Sequence, residues 1–419
     1  MDLSITHQTR RLRGVVQLPL SKSILNRYLL LYHMGGGLKP ALSAYPLAED
    51  SRLMYSLLWE HRGETYHCSN AGTVCRFLTA YFATMSGTQV IDGNERMRQR
   101  PIAPLVEALR QQGAQIDYLD REGRLPIAIH RPQPIAPPPL LKLPHSLSSQ
   151  FFSALALTGC RWPEGLRLHV PKHMVSMGYF HMSLQALAAF SIPYKWEGAI
   201  LQIPSAQPQS DVRLLSSVPA DWSAAAFVYG LAALSHDADI YLPHLSIDDS
   251  QGDAIMRQWA THWGVYTEPM PEGCRITKPK NSALPPTPLR FDLRDTPDLF
   301  PVLAVLCAAS GRSCIFEGIA HLRYKESDRI HAVRQGLSAC GVPTRVETNR
   351  FYIEPSPPGT SHAHPVIDTY DDHRIAMAFT LWAMRHTVTL RGAECVRKSF
   401  PQWFDQCRKL GFKITVLSN

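Results

Sequence analysis

Apolar positions along the chain repeat one pattern: residues at helical spacing, then a glycine or other small residue, then a short β-rich run. The copies read SRLMYSLLWEHRGETYH, LVEALRQQGAQIDYL, MSLQALAAFSIPYKW, AIMRQWATHWGVYTE, IHAVRQGLSACGVPTRVE and WFDQCRKLGFKITVL. Glycine punctuates five of them (Gly63, Gly113, Gly264, Gly341, Gly411) and Ser191 the third, as suits a left-handed position closing a helix before a strand. From the second copy on these residues stand 70 to 78 positions apart, so a duplicated helix-to-strand unit predicts α/β or α+β architecture. The longest apolar runs, Ala224–Leu234 and Phe300–Ala309, are shorter than the ~18 residues a spanning helix needs. The start, MDLSITHQTRRLRG, has no apolar stretch, so neither secretion nor membrane insertion is expected.

A chain of 419 residues exceeds one ordinary core and predicts two domains of about 150–250 residues. With 45% apolar and 19% charged residues it is globular rather than disordered. The net charge of +8 is carried by 32 Arg and 11 Lys. Excess Arg suits planar recognition of phosphate and carboxylate, while +8 over this length is also what a solvated surface carries and does not argue for nucleic acid. Nine cysteines, an odd number with no CxxC pair, point away from a disulfide framework or zinc site and toward reduced thiols in a cytoplasm. Pro-rich stretches at Arg131–Pro144, Lys278–Leu289 and Glu354–Pro365 read as surface loops.

Several segments combine cations and hydroxyls with a helix start, where free N–H groups and the helix dipole favour anions. LPLSKSILNRYLLL brings Lys22, Ser23 and Arg27 together, Arg27 one turn beyond Ser23. In SNAGTVCRFLTAYF, Asn70 and Gly72 allow a sharp turn close to a ligand, and Thr73 is a candidate cap for the helix carrying Arg76. ERMRQRP, read as an extended run, places Arg96, Arg98 and Arg100 on one side. LSSQFFSAL offers Ser148, Ser149 and Gln150. Asp298 stands at the helix start of TPDLFPVLAVL, where capping is the plain alternative. LRYKESDRI packs Lys325, Glu326, Asp328 and Arg329; TYDDHRIAMA packs Asp371, Asp372, His373 and Arg374; VRKSFP adds Arg397 and Lys398. Each alone reads as an ordinary cap or solvated face; together they point to a ligand with more than one anionic group.

In series, LPLSKSILNR, SNAGTVCRFLTA, ERMRQRPI, SLSSQF, LRYKESDR, YDDHRIAMA and KSFP resemble the motifs of the 5-enolpyruvylshikimate-3-phosphate synthase family, from about Leu18 to Pro401. The resemblance implies two similar domains, each of three βαβαββ units around a pseudo-threefold axis (an inside-out α/β barrel), with the active site in the interdomain cleft. One domain would span 20–219 and carry the shikimate 3-phosphate segments; the other, 1–19 plus 220–419, would carry the catalytic carboxylates and the basic residues for phosphoenolpyruvate. It further implies a cytoplasmic monomer of the shikimate pathway with no metal or organic cofactor. That enzyme moves the enolpyruvyl group of phosphoenolpyruvate to the 5-hydroxyl of shikimate 3-phosphate and releases phosphate.

By motif position Glu326 is implied as proton donor and Asp298 as base, with Lys22 beside both substrates. Lys22, Ser23, Arg27, Ser148, Ser149, Gln150, Ser176, Asp298, His321 and Lys325 are implied for shikimate 3-phosphate. Lys22, Asn70, Gly72, Arg96, Gln150, Arg329, Arg374 and Lys398 are implied for phosphoenolpyruvate. Because Lys325 and Arg329 flank Glu326, its acid role requires desolvation or proton sharing. Gly72 further implies sensitivity to glyphosate, a phosphoenolpyruvate mimic. Departures from the family pattern are Leu20 for glycine, Met177-Gly178-Tyr179 after Ser176, His321 for asparagine, and Pro219-Ala220-Asp221-Trp222 at the hinge. The rival readings are the sister transferase acting on UDP-N-acetylglucosamine and an inactive paralogue binding anions or RNA.

Overall fold

The computed structural model describes residues 1–42, 47–130, 140–143, 148–248, 250–280, 288–354 and 364–418; most of the three Pro-rich stretches lies outside them. Five of the six punctuating residues take the left-handed backbone: Gly113 (φ 101°), Ser191 (φ 60°), Gly264 (φ 73°), Gly341 (φ 77°) and Gly411 (φ 95°). Each delivers the chain to the edge strand of a small sheet: Gln115–Tyr118, Lys195–Glu197, Tyr266–Met270, Thr344–Val346 and Lys413–Ser418. Four of these edges pair antiparallel with the next strand in sequence, and Lys413–Ser418 pairs with the N-terminal strand Asp2–Thr6. Gly63 departs from the set, since it is not left-handed and its strand Thr65–His67 pairs in parallel with Gln89–Asp92. The first copy therefore opens a repeat instead of closing one.

Four sheets share one order of pairing, a parallel pair followed by two antiparallel steps. The fifth has three strands, and Leu141 bridges in parallel to Leu168 where the others have a fourth strand. All five are open; none closes into a barrel among the described residues. By contacts the chain forms two units, one of Met1–Ser21, Tyr45–Glu49 and Pro219–Asn419, the other of Lys22–Ala44 and Asp50–Val218.

Within the first unit, Trp222–Leu234 is buried at every position except Ser223, His373–Thr380 is buried throughout, and Phe300–Ala309 is buried through Cys307. Helices apolar all round belong inside, so the sheets lie outside them, alternating buried and exposed residues as in Leu289–Asp292. Gly230 permits the close helix packing, since a Cβ there would stand 2.5 Å from Leu381 Cδ2 and 3.1 Å from Val302 Cγ2. The departures at Leu20 and Pro219-Ala220-Asp221 serve this unit's backbone. Ser21 N donates to Pro219 O at 2.8 Å, Asp221 N to Pro19 O at 2.9 Å, and Leu20 bridges Ala220.

Candidate active site

In the second unit Arg27 organises four helices. Its Nε donates to Ser183 Oγ (2.8 Å), Nη1 to Ser23 O (2.6 Å), and Nη2 to Tyr179 O (2.7 Å) and Ser153 Oγ (3.4 Å), while Cζ lies 5.3 Å from the Phe77 ring centroid. These partners belong to the first two turns of Lys22–Met34, Gly72–Phe82, Ser149–Thr158 and Met177–Ala189. The four N-termini are thus tied at one end. None carries a carboxylate in its first turn, so no acid of their own offsets the positive ends of these helices.

Around that end the structure brings together many of the residues expected for substrate. Lys22, the first helical residue, pairs with Asp50 at 2.9 Å. Ser148 caps its helix by accepting from Gln150 N at 3.3 Å; Ser149 is buried, and Gln150 Oε1 is buried with no hydrogen-bond partner among the described residues. Ser176 is buried at a left-handed N-cap position (φ 61°) and makes no side-chain cap bond. Gly72 starts its helix beneath two buried guanidinium groups: Arg76 Nη1 donates to Gly72 O (3.1 Å) and Nη2 to Pro101 O (3.1 Å), while Arg100 Nη1 reaches Asn70 O (3.5 Å). Asn70 is buried and Arg96 half-buried.

Three local readings are corrected. ERMRQRP is not extended: Glu95–Gln99 is helical because Asn94 accepts from Met97 N at 2.9 Å, and Arg98 turns to Asp92 at 2.5 Å. The cap position before Gly72 is Ala71, so Thr73 caps nothing. Asp298 lies in the 3-10 turn Pro297–Leu299, and no side chain caps the helix that follows.

In the first unit Arg329 is the hub. This fully buried side chain donates to Asp298 Oδ1 (2.7 Å), Glu326 Oε2 (2.8 Å) and Asp372 Oδ2 (2.9 Å). Asp298 also meets Arg374 Nη2 (2.7 Å) and Lys325 Nζ (3.5 Å). Helix caps fix the geometry. Asp328 accepts from Ile330 N and His331 N (3.1 and 3.0 Å), Asp372 from Arg374 N (3.0 Å) and Ser327 Oγ (3.0 Å).

Burial alone would raise the Asp298 carboxyl, but Arg374, Lys325 and Arg329 outweigh it and hold it well below the usual carboxylate range. Burial lowers the Lys325 ammonium, with Arg329 adding and Asp298 opposing. Burial and then Lys325 push the His321 imidazole down to about 3, so the ring is neutral and retains one donor and one acceptor nitrogen. Its Nε2 is buried with no hydrogen-bond partner among the described residues. Lys398 is half-buried in the turn Ala393–Lys398 and acts electrostatically on Asp371.

Sequence reasoning missed Asp50, which carries no local motif, and did not foresee that Arg27 would be enclosed by protein acceptors. Pairing across 28 residues, as in Lys22–Asp50, leaves no periodic signal.

The fold itself is that of the enolpyruvyl transferases. An EPSP synthase structure from Acinetobacter baumannii superposes with a TM-score of 0.74 at 23% identity, covering 99% of this chain and 100% of that one. The enolpyruvyl transferase NikO from Streptomyces tendae gives 0.70 at 15% identity, covering 99% and 98%. The family model described as EPSP synthase (3-phosphoshikimate 1-carboxyvinyltransferase) matches residues 60–407. A relative in Bacteroides fragilis named 3-phosphoshikimate 1-carboxyvinyltransferase is 35% identical over 407 residues, 97% of each chain. The chain belongs to the EPSP synthase family.

Proposed function

We propose that the chain performs the reaction for which its family is named. The open helix N-termini of the Arg27 unit, with Lys22, Ser23, Ser148, Ser149, Gln150 and Ser176, hold shikimate 3-phosphate, aided by Asp298, His321 and Lys325. Arg27 supports that site from within by pinning the four helices. Lys22, Asn70, Gly72, Arg96, Gln150, Arg329, Arg374 and Lys398 hold phosphoenolpyruvate.

Glu326 gives a proton to the methylene carbon, C2 becomes electrophilic, and the 5-hydroxyl oxygen adds there as Asp298 takes its proton. The tetrahedral intermediate then returns a methyl proton to the Glu326 carboxylate as its C–O bond to phosphate breaks, leaving the enolpyruvyl ether and phosphate. The observation that carries this reading is Asp298 ringed by Arg374, Arg329 and Lys325, with Glu326 on the same arginine. At rest those cations suppress the basicity of Asp298. When the anionic substrates draw Arg374 and Lys325 onto themselves, its affinity for a proton rises, so the base is activated only in the ternary complex.

UDP-N-acetylglucosamine as acceptor is not favoured, since the curated relatives at 31–35% identity carry the phosphoshikimate name. Among the described residues no helix is long and apolar enough to cross a membrane. All nine cysteines are free and buried, which supports action in a reducing cytoplasm. Mixing the protein with both substrates should liberate inorganic phosphate, and Glu326→Gln and Asp298→Asn should each lower kcat by about 10²–10⁴-fold. Undiminished turnover in either variant removes that residue from its role.

A further inference from the structure

At the far end of the helical run that begins beside Arg374, three cations meet with no carboxylate among the described residues to join them. His373–Thr380 continues through the 3-10 turn Leu381–Met384 to Arg385, roughly 15–20 Å along the axis from Arg374. Hydrogen bonds fasten the group together. Arg10 Nη2 donates to Arg385 O (3.1 Å), His236 N to Arg10 O (2.7 Å), and Lys278 Nζ to Ser235 O (2.9 Å) and Ala233 O (2.5 Å). His7 N donates to Ala383 O (3.1 Å) and His7 Nδ1 accepts from Arg10 N (3.0 Å), so the turn carrying Arg10 is held against Arg385. The Arg385 side chain is half-buried, and its Nε is buried with no hydrogen-bond partner among the described residues. The acids beside Ser235 in sequence are taken, Asp237 by Arg13 (2.6 Å) and Asp239 by Arg275 (2.7 Å). NSALPPT and PSPPGTSHA, residues 281–287 and 355–363, contain neither Asp nor Glu.

Capping explains part of this arrangement. Lys278 and Arg10 lie on carbonyls at the C-terminal ends of Trp222–Leu234 and of the run that stops at Met384, where cations are favoured. Each end supplies only about −0.5 of a charge, so three cations against two ends leave about +2. The like charges act on one another: burial and then Arg385 lower the Lys278 ammonium to about 8, and burial and then Arg10 lower the Arg385 guanidinium. We propose that Arg10, Lys278 and Arg385 form a binding site for a phosphate dianion, remote from the Asp298 cluster. Its charge balances the excess, and its oxygens give Arg385 Nε the acceptor that no described residue supplies. A carboxylate, with a single charge, would leave the site positive. Lys278 also lines a groove of about 270 Å³ with Arg13, Asp237, Asp239, Thr277 and Lys280, which gives room for the organic part of a phosphate monoester. Free phosphate and a phosphate monoester therefore share the chemistry of the site.

The test is isothermal titration of the full chain with inorganic phosphate near neutral pH, the ionic strength held constant with chloride. The wild type should bind a phosphate that Arg385→Gln and Arg10→Gln each weaken by about tenfold or more. Arg385→Lys keeps the charge without the planar fork and should weaken it less. Any phosphate held by the catalytic clusters is common to wild type and variants, so the difference reads this site alone. Turnover should stay within about twofold in all three variants, since none alters a residue given a role in the reaction. Glycerol 3-phosphate identifies the source: binding tighter than that of phosphate assigns a monoester seated in the groove, and equal or weaker binding assigns free phosphate. A phosphate affinity that Arg385→Gln leaves within about twofold overturns the proposal, as does a binding heat that chloride alone reproduces. Should Arg385→Gln not fold, Lys278→Gln carries the same expectation, and ³¹P line broadening of phosphate that Arg10→Gln leaves unchanged overturns the site equally. Binding is read without turnover, so the site stands or falls apart from the reaction proposed above.

Discussion

Arg329→Gln tests whether the carboxylate array is held by one guanidinium. The substitution removes the charge that bonds Asp298, Glu326 and Asp372 at 2.7, 2.8 and 2.9 Å. Breaking a buried ion pair by deleting one partner costs about 3–5 kcal/mol. Asp298 keeps Arg374 and Lys325, so the lower end applies, about 3 kcal/mol, or about 6–12 °C in Tm for a unit of this size. The loss should depend on pH with a definite sign. A carboxyl depressed in the fold, as Asp298 is, adds stability that is present above its unfolded pKa and disappears as pH falls through the folded value. Without Arg329 the folded value rises, so Asp298 contributes less at neutral pH, and proton uptake on acidification softens the damage. Thermal melts at about pH 8 and about pH 5 should therefore show the larger destabilisation at pH 8, with Arg329→Lys in between. A cost below about 1 kcal/mol at pH 8, or an equal or larger cost at pH 5, refutes the argument.

In Gly72→Ala the new Cβ would lie 2.6 Å from Arg100 Nη2 and 2.8 Å from Arg76 Nη1. Both guanidinium groups are bonded to backbone carbonyls, so they must shift; stability should fall by about 1–3 kcal/mol and KM for phosphoenolpyruvate should rise more than KM for shikimate 3-phosphate. Glyphosate should inhibit the wild type in a phosphate-release assay and the Gly72→Ala variant less, and unchanged wild-type activity at saturating glyphosate contradicts this. Arg27→Gln removes the tie among four helices and should cost about 2–4 kcal/mol by thermal unfolding. A raised KM for shikimate 3-phosphate with an unshifted melt would make Arg27 a direct ligand instead.

The repeat was legible because each copy ends where the backbone must turn left-handed, and glycine marks that turn; Ser191 shows that the position, not the residue type, makes the junction. The reading of Gly63 as one of the set was wrong in detail, since its strand joins in parallel and nothing in a helix-glycine-strand string distinguishes the two outcomes. Arg96, Arg98 and Arg100 misled because alternation in so short a run fits strand or helix until the Asn94 cap is recognised. Asp50 was invisible for another reason. It meets Lys22 from 28 residues further along the chain, so only the fold brings the pair together.

The same repeat carries opposite residues at its helix starts in the two units. Lys22–Met34, Gly72–Phe82, Ser149–Thr158 and Met177–Ala189 begin without acids and are held by Arg27, so their dipoles are available to a phosphate brought from solution. Trp222–Leu234, Arg329–Ala339 and His373–Thr380 begin at Asp221, Asp328 and Asp372, whose carboxylates already occupy those N–H groups. An end satisfied by its own aspartate has little left for a ligand anion. It is instead a rigid mount from which Arg329 and Arg374 engage Asp298. On the roles proposed for the two clusters, binding and proton transfer divide by what stands at a helix N-cap, and moving a carboxylate from one set of helix starts to the other should damage both functions while leaving the packing of the buried helices intact.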